Sequence, residues 1–244
     1  ALFVSADSRV AYYTEDKTTR NARRSELYQF EIPTTLRSSI EPTHIIKGTV
    51  KDARTGAPIV ATIELHELLA KRQLRTFSSD EASGQYLAVL NQGGDYALYI
   101  EKKGYLFKSH HFQLHDSTGI LWMDVRLEPI QKDRPEVLQN IYFETGSFAL
   151  DQKSRVELEK LVLFLKENAK LQIEISGHTD DVGNEAVNLQ LSKQRADAVV
   201  AYLIENGIQA DRLRAAGYGK RQPKVPNTSD ENRAINRRIE WVVR

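Results

Sequence analysis

Asp180 and Arg195 are the two side chains in this sequence best placed to hold a small charged group. They flank a junction in which an apolar strand runs into a polar loop and then a helix. The strand is read over 171–176, where Leu171, Ile173 and Ile175 alternate with Gln172, Glu174 and Ser176. Ser192 is a good N-cap residue, and Ala196, Val199, Val200 and Leu203 repeat at helical spacing behind it, which predicts a helix beginning there. On that reading Arg195 lies in the first turn, where the helix dipole disfavours a cation by roughly 0.3–1 kcal/mol. A capping box would place Glu or Gln at that position. Asp180 sits just past the strand's end. A carboxylate and a guanidinium at one strand end, beside unpaired helix N–H donors, suit a zwitterion. Its ammonium would meet Asp180, and its carboxylate Arg195 and the backbone. Taken alone, Asp180 reads as readily as a cap or Asx-turn residue, and Arg195 has a plain alternative as a surface cation paired with Glu185 or Asp181.

The elements that must position this pair follow a regular order. A strand is read over 138–143. Asp151 caps a helix over 151–168, whose Leu158, Leu161, Val162 and Leu165 form one apolar stripe. After the strand at 171 and the second helix, which stops at Asn206-Gly207, come a short strand over 213–216 and a loop over 218–230. A helical turn over 231–236 and a last strand over 237–243 end the chain, with Ile239, Trp241 and Val243 on one face. The order β-α-β-α-β then β predicts an α+β unit with two helices on one face of a mixed sheet. Ahead of it, short strands over 45–51, 59–65, 75–78, 85–90, 95–102, 108–114 and 120–127, punctuated by Gly, Asp and Asn, indicate an all-β sandwich. Residues 131–136, Gln-Lys-Asp-Arg-Pro-Glu, read as a charged linker between the two. Residues 1–43 hold two strand-like runs, 2–4 with 10–14 and 26–32, around a polar, basic turn over 15–25. A proline-bearing linker over 33–43 follows, and so small a sheet is marginal in water unless it packs on something else.

Composition narrows the function. The 244 residues are 41% apolar and 27% charged with a net charge of +1, a globular balance and no nucleic-acid polyelectrolyte. The basic excess is confined to residues 212–244, with nine Lys/Arg against three acids, which suits a solvated face or an anionic polymer. No apolar run approaches the roughly 18 residues of a membrane-crossing helix, and no charged-then-apolar leader opens the chain. Ala1 opens it mid-pattern, as a fragment or processed piece would. Absent cysteines exclude disulfides and thiol chemistry. No Gly-x-Ser-x-Gly is present, and Gly217-Tyr218-Gly219-Lys220 lacks the ending of a phosphate loop, so neither a nucleophilic hydrolase nor a nucleotide site is expected. Metal binding is not expected either. His178 lacks partners at ligand spacing and reads as a packed loop histidine, while alternation separates His110 from His111 and His115.

Three segments carry family resemblances. Ser5-Ala6-Asp7-Ser8-Arg9-Val10-Ala11-Tyr12-Tyr13 with Glu26-Leu27-Tyr28 resembles the inner strands of a periplasmic β-propeller blade, which implies a propeller remnant over 1–43. The run Gly48 to Pro58, with Gly84-Gln85-Tyr86 and the run Tyr96 to Tyr105, resembles the carboxypeptidase regulatory-like domain, a transthyretin-like sandwich, over 44–130. That resemblance implies a folding and spacing module without peptidase activity. Over 137–244, Ile141-Tyr142-Phe143-Glu144-Thr145-Gly146-Ser147, the stretch from Gly177-His178-Thr179-Asp180 to Arg195-Ala196, Gly217-Tyr218-Gly219-Lys220 and Asn236-Arg237-Arg238-Ile239-Glu240 resemble the OmpA C-terminal-like domain. This is the peptidoglycan-binding module also found in Pal and MotB.

The last resemblance implies non-covalent binding of the diaminopimelate of the stem peptide, without enzymatic activity or cofactor. Asp180 would take the ammonium and Arg195 the carboxylate. Asn188 and Arg237 would line the pocket, with Thr179, Val182 and Leu191 shaping the loop and Arg238 left as a structural salt-bridge partner. Phe143-Glu144 and Gly146 stand where the family has Phe-Asp and often Asn or Asp two residues on, so a contact from that loop is not implied. The order of the three units also resembles envelope lipoproteins that tether the type IX secretion machinery to peptidoglycan. It implies a periplasmic, outer-membrane-associated protein whose partners are peptidoglycan and other envelope or secretion proteins. The contrasting expectation is a protein-interaction scaffold acting through the sandwich or the propeller remnant.

Overall fold

Turn chemistry and alternation set the strand boundaries of the computed structural model, which describes residues 2–5, 9–19, 22–37, 44–90, 93–114, 119–144 and 146–244. The first strands, β1 (Leu2–Val4), β2 (Val10–Thr19) and β3 (Ala22–Glu31), form an antiparallel sheet in the order β1-β2-β3, followed by the single turn α1 (Thr34–Arg37). β2 and β3 continue through most of the segment read as a turn, with Thr19 pairing to Ala22. Tyr13 and Tyr28 stand directly opposite and stack, centroids 5.1 Å apart. Residues 6–8 of the propeller-like motif lie outside the described residues.

Eight strands follow: β4 (His44–Asp52), β5 (Thr62–Glu67), β6 (Arg72–Ser78), β7 (Gln85–Leu90), β8 (Gly94–Glu101), β9 (Lys108–Leu114), β10 (Gly119–Trp122) and β11 (Val125–Leu127). β4 pairs antiparallel with β7 on one side and parallel with β10 and β11 on the other. The other sheet is antiparallel throughout, in the order β6-β5-β8-β9. Ile46 and Val50 of the first sheet meet Ile63, Leu65, Leu98 and Ile100 of the second in one core. Strand β8 is buried on both faces. Leu98 and Ile100 point into this core, whereas Ala97 and Tyr99 pack with Leu68 and with Val156 from the C-terminal half. The unbroken apolar run of β8 is what burial on both faces requires.

The C-terminal half comprises β12 (Pro135–Leu138), α2 (Arg155–Glu167), β13 (Ile173–His178), α3 (Glu185–Glu205), β14 (Leu213–Gly219), α4 (Asp230–Asn236) and β15 (Ile239–Val243). Its sheet order is β12-β15-β13-β14, with β13 and β14 parallel and β15 antiparallel to both its neighbours. Leu161 and Leu165 of α2, Val199 and Leu203 of α3, and Ile175 and Trp241 of the sheet share one core. A single 3-10 turn, Gln152–Ser154, precedes α2, and Asp151 caps it by accepting from Lys153 N at 2.7 Å. The strand read over 138–143 is displaced. The pairing residues are Pro135–Leu138, and Phe143 keeps only an isolated bridge to Leu150. Pro135 and Glu136 therefore belong to the sheet and not to a linker, because an edge strand tolerates proline at its first residue. Among the described residues no helix is long and apolar enough to cross a membrane.

The halves interlock. Leu106 and Phe107, from the turn after β8, enter the C-terminal core, where Phe107 stacks on Trp241 at 5.7 Å and packs on Phe164 at 5.9 Å. Lys160 of α2 reaches Glu64 and Glu101 of the sandwich, each at 2.6 Å. Glu157, fully buried, accepts from Ser109 Oγ at 2.6 Å and from Asn140 Nδ2 at 2.8 Å. Burial raises the Glu157 pKa above the ordinary value, against the opposing pull of its hydrogen-bond donors. A carboxyl whose pKa is raised by folding contributes most below its unfolded pKa, and that contribution is lost as pH rises through the folded one. Glu157→Gln, uncharged throughout, is accordingly expected to gain in melting temperature over the native chain as pH rises from about 4 to about 8. Parallel melting curves against pH for the two proteins would reject this.

Candidate functional site

Helix α3 starts earlier than its apolar periodicity suggests. Asn184 is the N-cap, its Oδ1 accepting from Ala186 N at 2.8 Å and Val187 N at 3.4 Å, and Gly183 ahead of it adopts φ 89°. Ser192 is an interior residue. Its hydroxyl donates to Leu189 O and accepts from Gly219 N, both at 2.9 Å, tying α3 to β14. The expectation that Ser192 caps the helix is therefore wrong, and with it the placing of Arg195 in the first turn beside unpaired N–H groups. Arg195 lies in the middle of α3. It is brought to the strand ends by close packing instead. A Cβ at Gly177 would overlap the Ser192 carbonyl oxygen, and one at Gly217 would strike the Lys193 backbone, so these two glycines let α3 lie directly on β13 and β14.

Where β13 ends, His178 N donates to Arg238 O and Thr179 N to Gly219 O, both at 3.0 Å, so the chain leaves the sheet clamped between β15 and β14. Asp180 then does two things. Its Oδ1 accepts from Val182 N at 3.1 Å in an Asx turn, and its Oδ2 accepts from Arg237 Nη1 at 2.7 Å. The Asp180 side chain is 13% exposed and that of Arg237 47%. Arg195 is 9% exposed. Its guanidinium lies over the Phe143 ring at 4.8 Å, with Nε donating to Ser147 O at 2.9 Å and Nη2 to Glu144 O at 3.3 Å. Burial and the neighbouring Arg237 lower the Arg195 pKa, and the Asp180 charge acts the other way. Among the described residues no carboxylate pairs with it. The anticipated alternatives are engaged elsewhere, Asp181 with Arg233 at 3.1 Å and Glu185 with Arg221 at 2.8 Å. Arg195, Arg237, Phe143, His178 and Ile239 enclose a cavity of about 20 Å³, room for about one water.

The structure thus gathers Asp180, Arg195 and Arg237, and uses the remaining expected residues differently. Asn188 is buried and braces the loop by donating to Val182 O at 2.9 Å. Thr179, also buried, donates to Asp180 O at 3.0 Å. Val182 is exposed at the rim, and Leu191 is half-buried on α3. His178 is the last residue of β13, buried and stacked on Tyr218 at 5.4 Å. In the layer beneath, Arg238 is the structural salt-bridge partner expected of it, and its carboxylate Glu240 is what was not anticipated. Burial would raise the Glu240 pKa, but His178 at 3.4 Å and Arg238 at 2.7 Å outweigh it and hold the carboxyl at about 2. Most of the basic C-terminal segment is internally matched, as Arg221, Arg233, Arg237, Arg238 and Arg244 are all ion-paired. Arg212 donates to the carbonyls of Leu165, Asn168 and Leu171, closing the end of α2. That segment is largely ion-paired, yet Arg214, Arg221 and Lys224 remain exposed to solvent.

The OmpA family pattern matches residues 142–237, which include Asp180, Arg195 and Arg237. Outer membrane protein A of Bordetella avium is 34% identical over 132 residues, covering 51% of this chain and 68% of that protein. This chain belongs to the OmpA family. Other relatives are similar over shorter shares of their length. Outer membrane porin F of Pseudomonas aeruginosa is 32% identical over 126 residues, 51% of this chain and 36% of the porin. The peptidoglycan-binding protein ArfA of Mycobacterium tuberculosis is 40% identical over 79 residues, 32% of this chain and 24% of ArfA. The chain therefore spans little more than a third of the porin's length.

Proposed function

We propose that this OmpA-family chain binds peptidoglycan without catalysis, gripping the zwitterionic end of diaminopimelate in the stem peptide. In doing so it anchors an outer-membrane-associated protein or assembly to the cell wall from the periplasm. The observation that carries the reading is Arg195, a nearly buried guanidinium with no directly paired carboxylate among the described residues, beside an Asp180 whose own partner is half-exposed. A buried cation lacking its counter-charge is costly, and a ligand carboxylate supplies that charge. The ligand ammonium takes Asp180 and displaces Arg237, whose exposed guanidinium turns to the same ligand carboxylate. Each charge in the complex then has an opposite neighbour. The relative named as a peptidoglycan-binding protein supports this reading.

A lysine-containing stem offers the ammonium but not the carboxylate, so it satisfies Asp180 and leaves Arg195 unpaired. Titration of the chain with the two stem peptides is expected to favour diaminopimelate by about ten- to a hundredfold, the range of a charge-assisted hydrogen bond. Equal affinities would sink the zwitterion clamp. A narrower role, tethering type IX secretion machinery, is supported by the order of the propeller-like remnant, the regulatory-like sandwich and the OmpA-like unit. Val4, Tyr13 and Phe30, exposed on one face of the N-terminal sheet, favour a protein partner for it.

A further inference from the structure

A second, larger groove adjoins the small Arg195 cavity, and the two share Ile141, Arg238 and Arg237, the partner of Asp180. The groove measures about 150 Å³, room for an amino-acid-sized fragment. One wall is Val137, Leu138 and Ile141, and the other is Ala234 and Ile235 from the last turn of α4, with Lys224 beside them. This rim is held in place. Asn236, fully buried, accepts from Lys224 N at 2.7 Å and Val225 N at 3.1 Å, and donates to Val225 O and Asn227 Oδ1, both at 2.8 Å. Arg238 is fixed as well, donating to Glu240, to Asn236 O and to Gln222 O.

Charge distinguishes the groove from an apolar crevice. Lys224 has no ion-pair partner among the described residues, and Glu136, the carboxyl that feels its charge, is paired with Lys108 at 3.4 Å. Ile235 is exposed on the same rim. We propose that this groove receives the residue joined to the clamped diaminopimelate, an acidic residue with a free carboxylate, which in a stem peptide is the γ-linked glutamate. Its methylenes lie along Ile235 and Val137, and its carboxylate meets Lys224. The assignment rests on the peptidoglycan reading above and adds the chemistry of the adjoining residue to it.

Calorimetric titration of the full chain separates the two ideas. Three ligands are compared: meso-diaminopimelate, the tripeptide L-Ala-γ-D-Glu-meso-diaminopimelate, and the same tripeptide with isoglutamine in place of glutamate. The glutamate tripeptide is expected to bind roughly fivefold tighter than free diaminopimelate, the size of one rim ion pair. Isoglutamine in the ligand, or Lys224→Ala in the protein, is expected to erase that advantage and leave free diaminopimelate binding unchanged. No advantage for glutamate over isoglutamine in the native chain overturns the groove assignment while leaving the clamp intact. So does a Lys224→Ala variant that weakens all three ligands alike. Failure of all three to bind the native chain defeats the peptidoglycan reading itself.

Discussion

Asp180→Asn and Arg195→Met are each expected to reduce binding to purified sacculi by about a hundredfold or more, the cost of removing one partner from a desolvated charge pair. The two substitutions probe opposite ends of the ligand. Asp180→Asn keeps the shape of the side chain and an oxygen for the Val182 N–H, but abolishes the carboxylate that faces Arg237 at 2.7 Å. Arg195→Met keeps a long stem over Phe143 and removes the buried charge. Met removes the desolvation cost of the charge along with the donors to Ser147 O and Glu144 O, two opposing effects, so the Arg195→Met protein should still melt as a folded chain close to the native temperature even as it loses the cell wall. Co-sedimentation with sacculi, alongside a thermal melt, measures both. Native-like sedimentation by either variant would remove that side chain from the site.

The site was legible in the sequence for reasons only partly right. Asp180 and Arg195 stood out because a cation was placed at a helix start, yet α3 begins at Glu185 and Arg195 is interior to it. The apolar repeat misled because the first turns of α3 lie beyond the core, with Val187 exposed, so periodicity first becomes strong near Ala196. The capping signal that did apply was Gly183-Asn184, a turn glycine before a good cap. What makes Arg195 unusual is burial with no directly paired carboxylate among the described residues, a property of the folded packing that no spacing rule reports. Gly177 and Gly217 could be quoted as motif residues, but their purpose, letting one helix touch two strands, exists only once α3 is laid on the sheet. The strands of the sandwich were nearly all visible because turn chemistry frames them. Its attachment was not, since Glu157 and Lys160 look like ordinary solvated residues on α2 until Ser109, Glu64 and Glu101 are brought beside them.

Phe107→Ala is expected to destabilise the full chain by about 3–5 kcal/mol, the usual cost of emptying a buried aromatic position. Phe107 belongs to the sandwich by sequence and to the C-terminal core by contact. Its ring stacks on Trp241 and abuts Phe164, while Leu106 beside it is equally buried. A loop that merely linked two independent units would leave Trp241 indifferent to this change. Shared packing instead couples the halves, so denaturant unfolding should show one transition by far-ultraviolet circular dichroism and by the fluorescence of buried Trp241, shifted together in the variant. Trp122 is exposed and adds little to that fluorescence change. Separate transitions in the native chain, or a shift below about 1 kcal/mol, would reject the shared core. If the halves do unfold as one, a load arriving through the sandwich reaches the proposed wall-binding site through Lys160, Glu157 and Phe107 as well as through the polypeptide at 131–134, and the sandwich would then act as a braced strut rather than a slack tether.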